Sequence, residues 1–467
     1  MEVDREQTHD RRTKDLILNK LRQLLINLRS SFWFLPSLMV LGSIALAAAL
    51  IEADSAGSDR WLTQWPRLFG VGAEGARQML STLAGSMMTV MGVTFSMILV
   101  ALALASSQYT SRILRNFMRS RVTQVTLGIF AGIFAYCLIV LRTIHGGEAE
   151  FVPSLAVFFA FFMALGGVVA LIFFIHHIAS SIQASSIIAS IAHETIAAID
   201  RLFPEKKTRG PDKDEDLDQV LQSLDERTWY TVPAEVSGYI QLVGNDALLS
   251  LAYNWKTIVR MERGVGAFVV QNTALASLAL TYPPDQEMIA ALNKAYSISR
   301  HRSVEQDPAF GIRQIVDMAL KALSPGVNDT STAVMCVDYL TAILARLACR
   351  QFPPSHRYDG EALRVITIVP TFDGLLAEAL DQIRRSAEGN FTIMARMLGA
   401  IGTIASMTVS PDHRRALKEQ VQWIAELADR SIASTHDRAQ IKRRMIHVRE
   451  ALEAEPALYA NEKGMVL

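Results

Sequence analysis

The chain has 467 residues, of which 50% are hydrophobic and 20% are charged. Its 46 basic and 46 acidic residues give a formal net charge of zero. This balance excludes a general nucleic-acid binder, because such proteins need an excess of Lys and Arg to neutralise phosphates. The mean hydropathy of +0.22 is too high for a disordered chain. Three scattered cysteines, Cys137, Cys336 and Cys349, supply neither a disulfide framework nor a zinc site.

Four long apolar segments without Asp, Glu, Lys or Arg occupy most of the first 175 residues. They run over residues 34–51, 79–105, 122–141 and 151–175. Each is long enough to cross a hydrocarbon core of about 30 Å as an α-helix. The sequence therefore predicts a charged tail at 1–33 and a four-span transmembrane domain at 34–200. The last part of that domain is expected to extend the fourth span as a helix into the cytoplasm.

Basic residues predict the orientation of the spans. The N-terminal tail contains seven Lys and Arg residues and the 106–121 connection contains four, whereas the two opposite connections together contain four. Because cytoplasmic segments carry an excess of such residues, both termini are predicted to be cytoplasmic. The four basic residues of the 106–121 connection suit either a helix on an anionic membrane surface or a plain positive-inside loop. They are Arg112, Arg115, Arg119 and Arg121.

Small and hydroxyl-bearing residues recur along the second span. They are Ser81, Thr82, Gly85, Ser86, Thr89, Gly92 and Ser96. Such residues let helices approach closely, and their hydroxyls bond across the interface or back to their own carbonyls. This set is a candidate for a tight helix-packing face or for the lining of a homo-oligomeric pore. The spans contain no ionisable acid or base of the kind that a proton relay or ion-coupled pump needs.

Two changes of composition follow the spans. Charged residues around Gly210 and Pro211 predict a solvated linker at 201–228. Alternating and β-branched residues predict a small β-sandwich-like cytoplasmic module at 229–282, similar to lipoyl-carrier and membrane-fusion modules. Helical periodicity from 283 to 467 predicts an α-helical C-terminal domain. The expected fold is thus mainly α, with four transmembrane helices, the β-rich module and the C-terminal helices in that order.

The most distinctive polar cluster of the chain lies at 301–332. Its candidate ligand-binding residues are Arg302, Arg313, Asp317, Asn328 and Asp329. Two interpretations remain open: turn and helix-capping chemistry with an Arg313–Asp317 pair one helical turn apart, or a small-anion site. No nucleophile–His pair and no metal-ligand spacing can be recognised. The sequence therefore favours a protein that is not an enzyme and that uses neither a cofactor nor a metal.

Several motifs together resemble an uncharacterised family of bacterial predicted membrane proteins, a domain of unknown function. The matching stretches are 31–38, 81–96, 105–108, 114–117, 175–177, 182–185, 237–239, 306–317 and 324–329. After Asn328 and Asp329 the family pattern resembles Pro-Phe-Thr-Ala, whereas this chain has Thr330-Ser-Thr-Ala333. The resemblance covers about residues 30 to 410. It implies a multi-pass protein of the bacterial inner membrane and supplies no activity.

The leading functional hypothesis is a homo-oligomeric channel or transport-like pore in the lipid bilayer, gated by the cytoplasmic part of the chain. The alternative is a non-conducting, membrane-anchored binding or scaffold protein. In that case residues 301–332 would recognise a small anion or a protein partner.

Overall fold

The structure is a computed structural model that describes eight stretches of the chain. They are 33–55, 72–108, 121–145, 151–181, 183–205, 227–360, 362–408 and 410–454. The predicted tail, most of the predicted linker and the basic connection with Arg112, Arg115 and Arg119 lie outside these residues. The chain forms two compact units, Met1–Gln183 and Ala184–Leu467.

The first unit contains four long helices. They are α1 (Phe34–Ser55), α2 (Ala73–Gln108), α3 (Arg121–Thr143) and α4 (Ser154–Ser181). α3 is central, because it packs against each of the other three and is the most buried of the four. The four apolar segments of the sequence are thereby confirmed as long helices.

Close packing between α1 and α3 depends on a glycine pair that is spaced four residues apart. A Cβ atom added at Gly128 would come within 3.2 Å of the Pro36 Cα, and one added at Gly132 would lie 2.5 Å from the Ser43 Oγ. Only glycine leaves room for α1 at these two positions. The pair follows the small-xxx-small pattern of membrane helix interfaces.

Polar side chains form hydrogen bonds at the helix ends of the first unit. The Asp54 carboxylate accepts hydrogen bonds from the backbone N–H groups of Leu155 (3.1 Å) and Ala156 (3.2 Å) in the first turn of α4. The Tyr136 hydroxyl donates to the Ala156 carbonyl at 2.8 Å. Arg77 of α2 donates to the Ile144 carbonyl at 2.8 Å, just after α3 ends. These groups satisfy backbone donors and acceptors that a helix end leaves free.

The second unit begins with α5 (Ala184–Leu202) and contains two β-sheets. Its strands are β1 (Trp229–Pro233), β2 (Gly238–Val243), β3 (Val259–Met261), β4 (Phe268–Val269), β5 (Ala274–Ala279), β6 (Tyr296–Ser299), β7 (His356–Asp359) and β8 (Ala362–Ile366). One sheet has the order β1-β5-β3-β8-β7 and the other has the order β4-β2-β6. All pairs are antiparallel except β3 with β8.

The β-rich region therefore extends beyond the expected boundary at residue 282. β6, β7 and β8 come from the part that was expected to be helical, and β8 lies beside β3 in parallel register. A parallel pair needs a long crossover, and here the crossover includes three helices, so a local pattern cannot show it. The sheets share a core with the helices Asn245–Asn254 and Gln286–Lys294. This core includes Val232, Ile240, Leu248, Val259, Leu275, Leu278, Leu292 and Val365.

Eight further helices complete the second unit. They are α6 (Asn245–Asn254), α7 (Gln286–Lys294), α8 (Pro308–Leu323), α9 (Thr330–Ala348), α10 (Phe372–Ser386), α11 (Phe391–Ala405), α12 (Pro411–Ser431) and α13 (Thr435–Glu453). The mainly helical fold with a small sheet region is confirmed. α5 packs against α8 and α9, although the sequence attached residues 184–200 to the transmembrane domain. Its buried residues, among them Ile188, Ile191 and Ile199, contribute to the second unit.

By length and apolar composition, five of the described helices could cross a membrane, one more than the sequence predicted. They are α1, α2, α3, α4 and α9. α9 differs from the others because it packs against α5, α8, α10 and α11 within the second unit. It also carries Asp338 and Arg346, which form ion pairs with Arg396 and Asp200 respectively.

Candidate functional site

The predicted small-residue face of α2 is exposed along its whole length. All seven predicted residues, from Ser81 to Ser96, are exposed. The opposite side of α2 is buried, with Leu80, Met87 and Ile98 in the packed interior of the first unit. A Cβ atom added at Gly85 or Gly92 would meet no atom within 4 Å. Within the described part of the chain, this face has no helix packed on its glycines.

The hydroxyls of this face bond to α2 itself. Thr82 Oγ1 donates to the Gln78 carbonyl at 2.7 Å, Ser86 Oγ to the Thr82 carbonyl at 2.8 Å and Thr89 Oγ1 to the Gly85 carbonyl at 3.0 Å. Each of these three hydroxyls uses its one donor in this way and keeps acceptor lone pairs on its oxygen. The face therefore carries acceptors without an unsatisfied donor at these three positions, and the exposed Met88 lies between Gly85 and Gly92 on the same side of the helix.

In the second unit, Arg302 and Asp307 form a partly buried ion pair just before α8. Arg302 contacts the Asp307 Oδ2 at 2.7 Å, and the two side chains are 23% and 5% exposed. The other oxygen of Asp307 accepts from the Phe310 N–H at 3.1 Å and caps α8. Burial raises the pKa of the Asp307 carboxyl, although Arg302 acts in the opposite direction. Gly266 packs against this pair with a φ of +85°, a conformation that favours glycine.

Arg313 is also neutralised by carboxylates. Its guanidinium contacts Asp317 at 2.9 Å, one turn along α8, and Glu378 of α10 at 3.3 Å. The predicted Arg313–Asp317 pair is thus confirmed. An anion at Arg302 or Arg313 would have to compete with a carboxylate that is already in place.

Asn328 and Asp329 form the turn that leads into α9. Asn328 has a φ of +49°, in the left-handed region that Asn tolerates. Asp329 caps α9, because its carboxylate accepts from the Thr332 N–H at 3.0 Å and from the Thr332 hydroxyl at 2.5 Å. These bonds lower the pKa of Asp329. The structure therefore gives capping and turn roles to residues that the sequence also offered as ligands.

The segment 304–311 holds α5, a role that the sequence did not reveal. Ala198 of α5 packs with Val304 and Phe310. A Cβ atom added at Gly311 would lie 3.0 Å from the Cβ of Thr195, so α5 and α8 meet without space for a side chain. Arg201 donates to the Glu305 carbonyl at 2.6 Å. The distinctive motif is largely explained by this close packing onto α5.

A second set of contacts with α5 is made at the C-terminal end of α9. Asp200 Oδ1 accepts hydrogen bonds from Arg346 (2.7 Å) and from Arg350 (2.6 Å). Arg350 is only 6% exposed and also contacts the Phe203 carbonyl at 3.4 Å. The hydrogen bond from Arg346 is the main reason that the pKa of Asp200 is lowered. No local pattern could indicate this cluster, because its partners are about 150 residues apart in the chain.

Two further predictions from the sequence concern the basic 106–121 connection and metal binding. Of the four basic residues of the connection, Arg121 alone is described, and it is exposed at the first position of α3. In the described part of the chain, no group of three or more His, Cys, Asp or Glu side chains is arranged to hold a metal ion.

Comparison with known proteins agrees with the membrane character of α1 to α4. The sequence profile of the family described as predicted membrane protein (DUF2254) matches residues 29–403. The chain belongs to this family. It is 31% identical over 443 residues to the uncharacterized protein Rv1290c of Mycobacterium tuberculosis and, equally, to the uncharacterized protein Mb1321c of Mycobacterium bovis. Each alignment covers 92% of this chain and 82% of the relative. No solved structure gives a significant match.

Proposed function

We propose that the protein is a four-span protein of the bacterial inner membrane whose copies assemble through the small-residue face of α2. Both termini are cytoplasmic, and the second unit lies in the cytoplasm, where it supports or gates the assembly. The observation that carries this proposal is the exposed face from Ser81 to Ser96. It combines two glycines that have open space around them with hydroxyls that bond to their own helix.

The physical support comes from the way helices associate in lipid. Lipid tails are as apolar as Leu, so burial of apolar surface gives little drive for two membrane helices to meet. Association depends instead on close van der Waals contact, which glycine and serine permit. Larger side chains dominate the lipid-exposed surface of α4, where Phe161, Val169 and Ile172 are exposed. The α2 face is thus better suited to another helix than to disordered lipid chains.

A pore between copies is the second step of the proposal. If the α2 faces of several copies surround a common axis, the hydroxyl oxygens of Thr82, Ser86 and Thr89 present acceptors to water or to small cations. The spans carry no formal charge, so such a path would be passive. Four spans alone rarely enclose a channel, so conduction is expected to require assembly.

The first test measures the number of copies in the intact protein, by single-molecule photobleaching in lipid nanodiscs. Wild type is expected to contain several copies, and the double variant Gly85→Leu and Gly92→Leu is expected to be monomeric. Gly166→Leu on α4 is the matched control, because Gly166 also has no atom within 4 Å of an added Cβ. A monomeric wild type, or an oligomer that Gly85→Leu and Gly92→Leu leave intact, would contradict the proposal.

Ion flux in liposomes separates a pore from a non-conducting assembly. Conduction that Gly85→Leu abolishes, and that Gly166→Leu and Arg313→Ala retain, would support the pore. An oligomer without flux would favour the alternative of a scaffold protein. In that case inorganic phosphate is the first probe for the Arg302 and Arg313 region, with thermal stabilisation of the intact protein as the measurement.

A further inference from the structure

The turn between α8 and α9, residues 324–329, carries an exposed apolar side chain. Val327 lies near its middle and is 49% exposed. The residues from 322 to 328 have no formal charge, and the Asp329 carboxylate is bonded to the first turn of α9. A single exposed valine is common on protein surfaces and has no meaning by itself. Its meaning here depends on where the turn lies in the second unit.

Contacts at two levels show that α5 and α8 are antiparallel. Thr195 lies against Gly311, and Arg201 donates to the Glu305 carbonyl at 2.6 Å. The residue numbers therefore fall along α8 while they rise along α5. Going from the contact between Thr195 and Gly311, α5 begins eleven residues earlier and α8 ends twelve residues later. Both lengths are about 16–18 Å at 1.5 Å per residue, so α8 ends beside the first residues of α5.

α9 leads to the same level by an independent route. Asp200 accepts from Arg346 at 2.7 Å, and the Phe203 carbonyl contacts Arg350 at 3.4 Å. These residue numbers rise together, so α5 and α9 are parallel. Both helices begin sixteen residues before the contact between Asp200 and Arg346, which is about 24 Å along each helix. The two routes agree that the turn 324–329 lies at the end of the second unit where α5 begins.

The covalent chain keeps this end close to the end of a candidate span. α4 ends at Ser181 and α5 begins at Ala184. With 3.8 Å between consecutive Cα atoms, these two residues are at most about 11 Å apart. α4 has 28 residues and is about 42 Å long, close to the 40–45 Å of a bilayer with its headgroups. If α4 crosses the membrane, the beginning of α5 is therefore near the headgroups.

We propose that the turn 324–329 lies on the surface of the bilayer, with Val327 inserted between phospholipid headgroups. The hydrophobic effect favours removal of this valine from water. The uncharged residues around it avoid the cost of desolvating a charge. Lys321 is exposed in the last turn of α8, and its long side chain can direct the ammonium group towards lipid phosphates.

This contact rests on one part of the proposed function, the role of α4 as a span. It needs neither the assembly through α2 nor a pore, so those two ideas can fail without affecting it. It also gives the motif at 324–329 a role beyond the turn and the helix cap.

Site-specific photo-crosslinking in the intact protein tests the contact. p-Benzoylphenylalanine replaces Val327, and the protein is irradiated in nanodiscs of phosphatidylethanolamine and phosphatidylglycerol. Mass spectrometry then measures the fraction of the protein that carries a lipid adduct. We expect several-fold more adduct with the probe at position 327 than with the probe at position 242.

Leu242 is the matched control, because it is an exposed apolar residue at the opposite end of α8. Its side chain is 39% exposed, and the N–H of the next residue, Val243, donates to Gln306 just before α8 begins. The 16 residues of α8 separate this end from the turn by about 24 Å. Val169 on α4, which is 67% exposed, is the control for a position that faces lipid.

Each of the other outcomes overturns the proposal in a distinguishable way. Adducts at position 169 without adducts at position 327 would leave α4 as a span and exclude the surface contact. Equal adducts at positions 327 and 242 would show that the probe itself seeks lipid. An absence of adducts at position 169 would contradict α4 as a span, and the proposed function with it. Adducts with the probe at Ala342, an exposed residue twelve positions into α9, would show that α9 enters the bilayer.

Discussion

At the residue scale, the Asp200 carboxylate connects α5 to the C-terminal end of α9. It accepts from two arginines of the α9 end, and one of them, Arg350, is almost completely buried. We expect Asp200→Asn to lower the free energy of unfolding by about 1–3 kcal/mol, because a buried guanidinium loses its main charged partner. Urea unfolding of the intact protein in detergent, followed by circular dichroism, measures this change.

The control for Asp200 is the ion pair between Asp338 and Arg396, whose side chains are 37% and 52% exposed. Water and salt screen such a pair, so Asp338→Asn is expected to cost less than about 1 kcal/mol. If Asp200→Asn and Asp338→Asn lower the free energy of unfolding equally, the burial of Arg350 does not contribute to stability.

Asp329 gives a pH-dependent prediction. Its bonds to Thr332 hold the pKa of the carboxyl below the ordinary value of 3.8. Since the folded-state pKa is depressed, the charge-dependent stabilisation is fully present above about pH 4 and is lost as the pH falls through the folded-state pKa. Asp329→Asn still caps α9 but cannot titrate, so the stability advantage of wild type over this variant should shrink from pH 6 to pH 3. Unfolding midpoints at several pH values measure the advantage, and a constant difference would contradict the prediction.

At the element scale, α1 and α3 are joined through Gly132 and Ser43. Gly132→Ala would place a methyl group 2.5 Å from the Ser43 Oγ, so we expect a lower unfolding midpoint, equivalent to about 1–3 kcal/mol. Ser43→Ala removes the clashing oxygen and should restore most of the loss in the double variant. Gly166→Ala on α4 meets no atom and should be neutral or slightly stabilising. A double variant as unstable as Gly132→Ala alone would argue against this contact.

The contact between α5 and α8 gives a prediction of the same kind in the second unit. Gly311→Ala is expected to separate the two helices and to cost about 1–3 kcal/mol, since the Thr195 side chain has no space in which to move. Thr195→Ala should compensate in part. Limited proteolysis near residue 202 reports whether α5 is released. Gly399→Ala on α11 is the control, because an added Cβ there meets nothing within 4 Å.

How far the sequence predicts these elements depends on the range of the interactions. Charge-free segments, the Arg313–Asp317 pair and the cap at Asp329 are local, and the sequence predicts them because the partners are at most a few residues apart. The glycine pair 128 and 132 has a visible signal, the small-xxx-small spacing, but the longer series of small residues on α2 has the same spacing, so the spacing alone does not tell which face is packed. The Asp200 cluster, the Thr195–Gly311 contact and the β3–β8 pairing join residues more than 100 positions apart, and a single sequence contains no signal for them.

At the scale of the whole molecule, the main question is whether α9 crosses a membrane. It is apolar enough to do so, but its ion-paired Asp338 and Arg346 and its contacts within the second unit favour a buried core helix. Four spans place both termini on the same side, whereas a fifth would place the C-terminus outside the cytoplasm. A green fluorescent protein fused after residue 467 is expected to fluoresce, and alkaline phosphatase at the same position is expected to be inactive. The opposite pattern would make α9 a span.

The parallel pairing of β3 with β8 has a consequence for synthesis of the protein. Val259 pairs with Val365, so about 100 residues must leave the ribosome after β3 before its neighbour exists. At 5–20 residues per second, β3 waits about 5–20 s with one edge unpaired. The spans emerge first and can already be in the membrane during this delay. The nascent second unit is therefore the part of the protein most in need of a chaperone, and ribosome-bound chains that end shortly before residue 362 should be the form that chaperones retain longest.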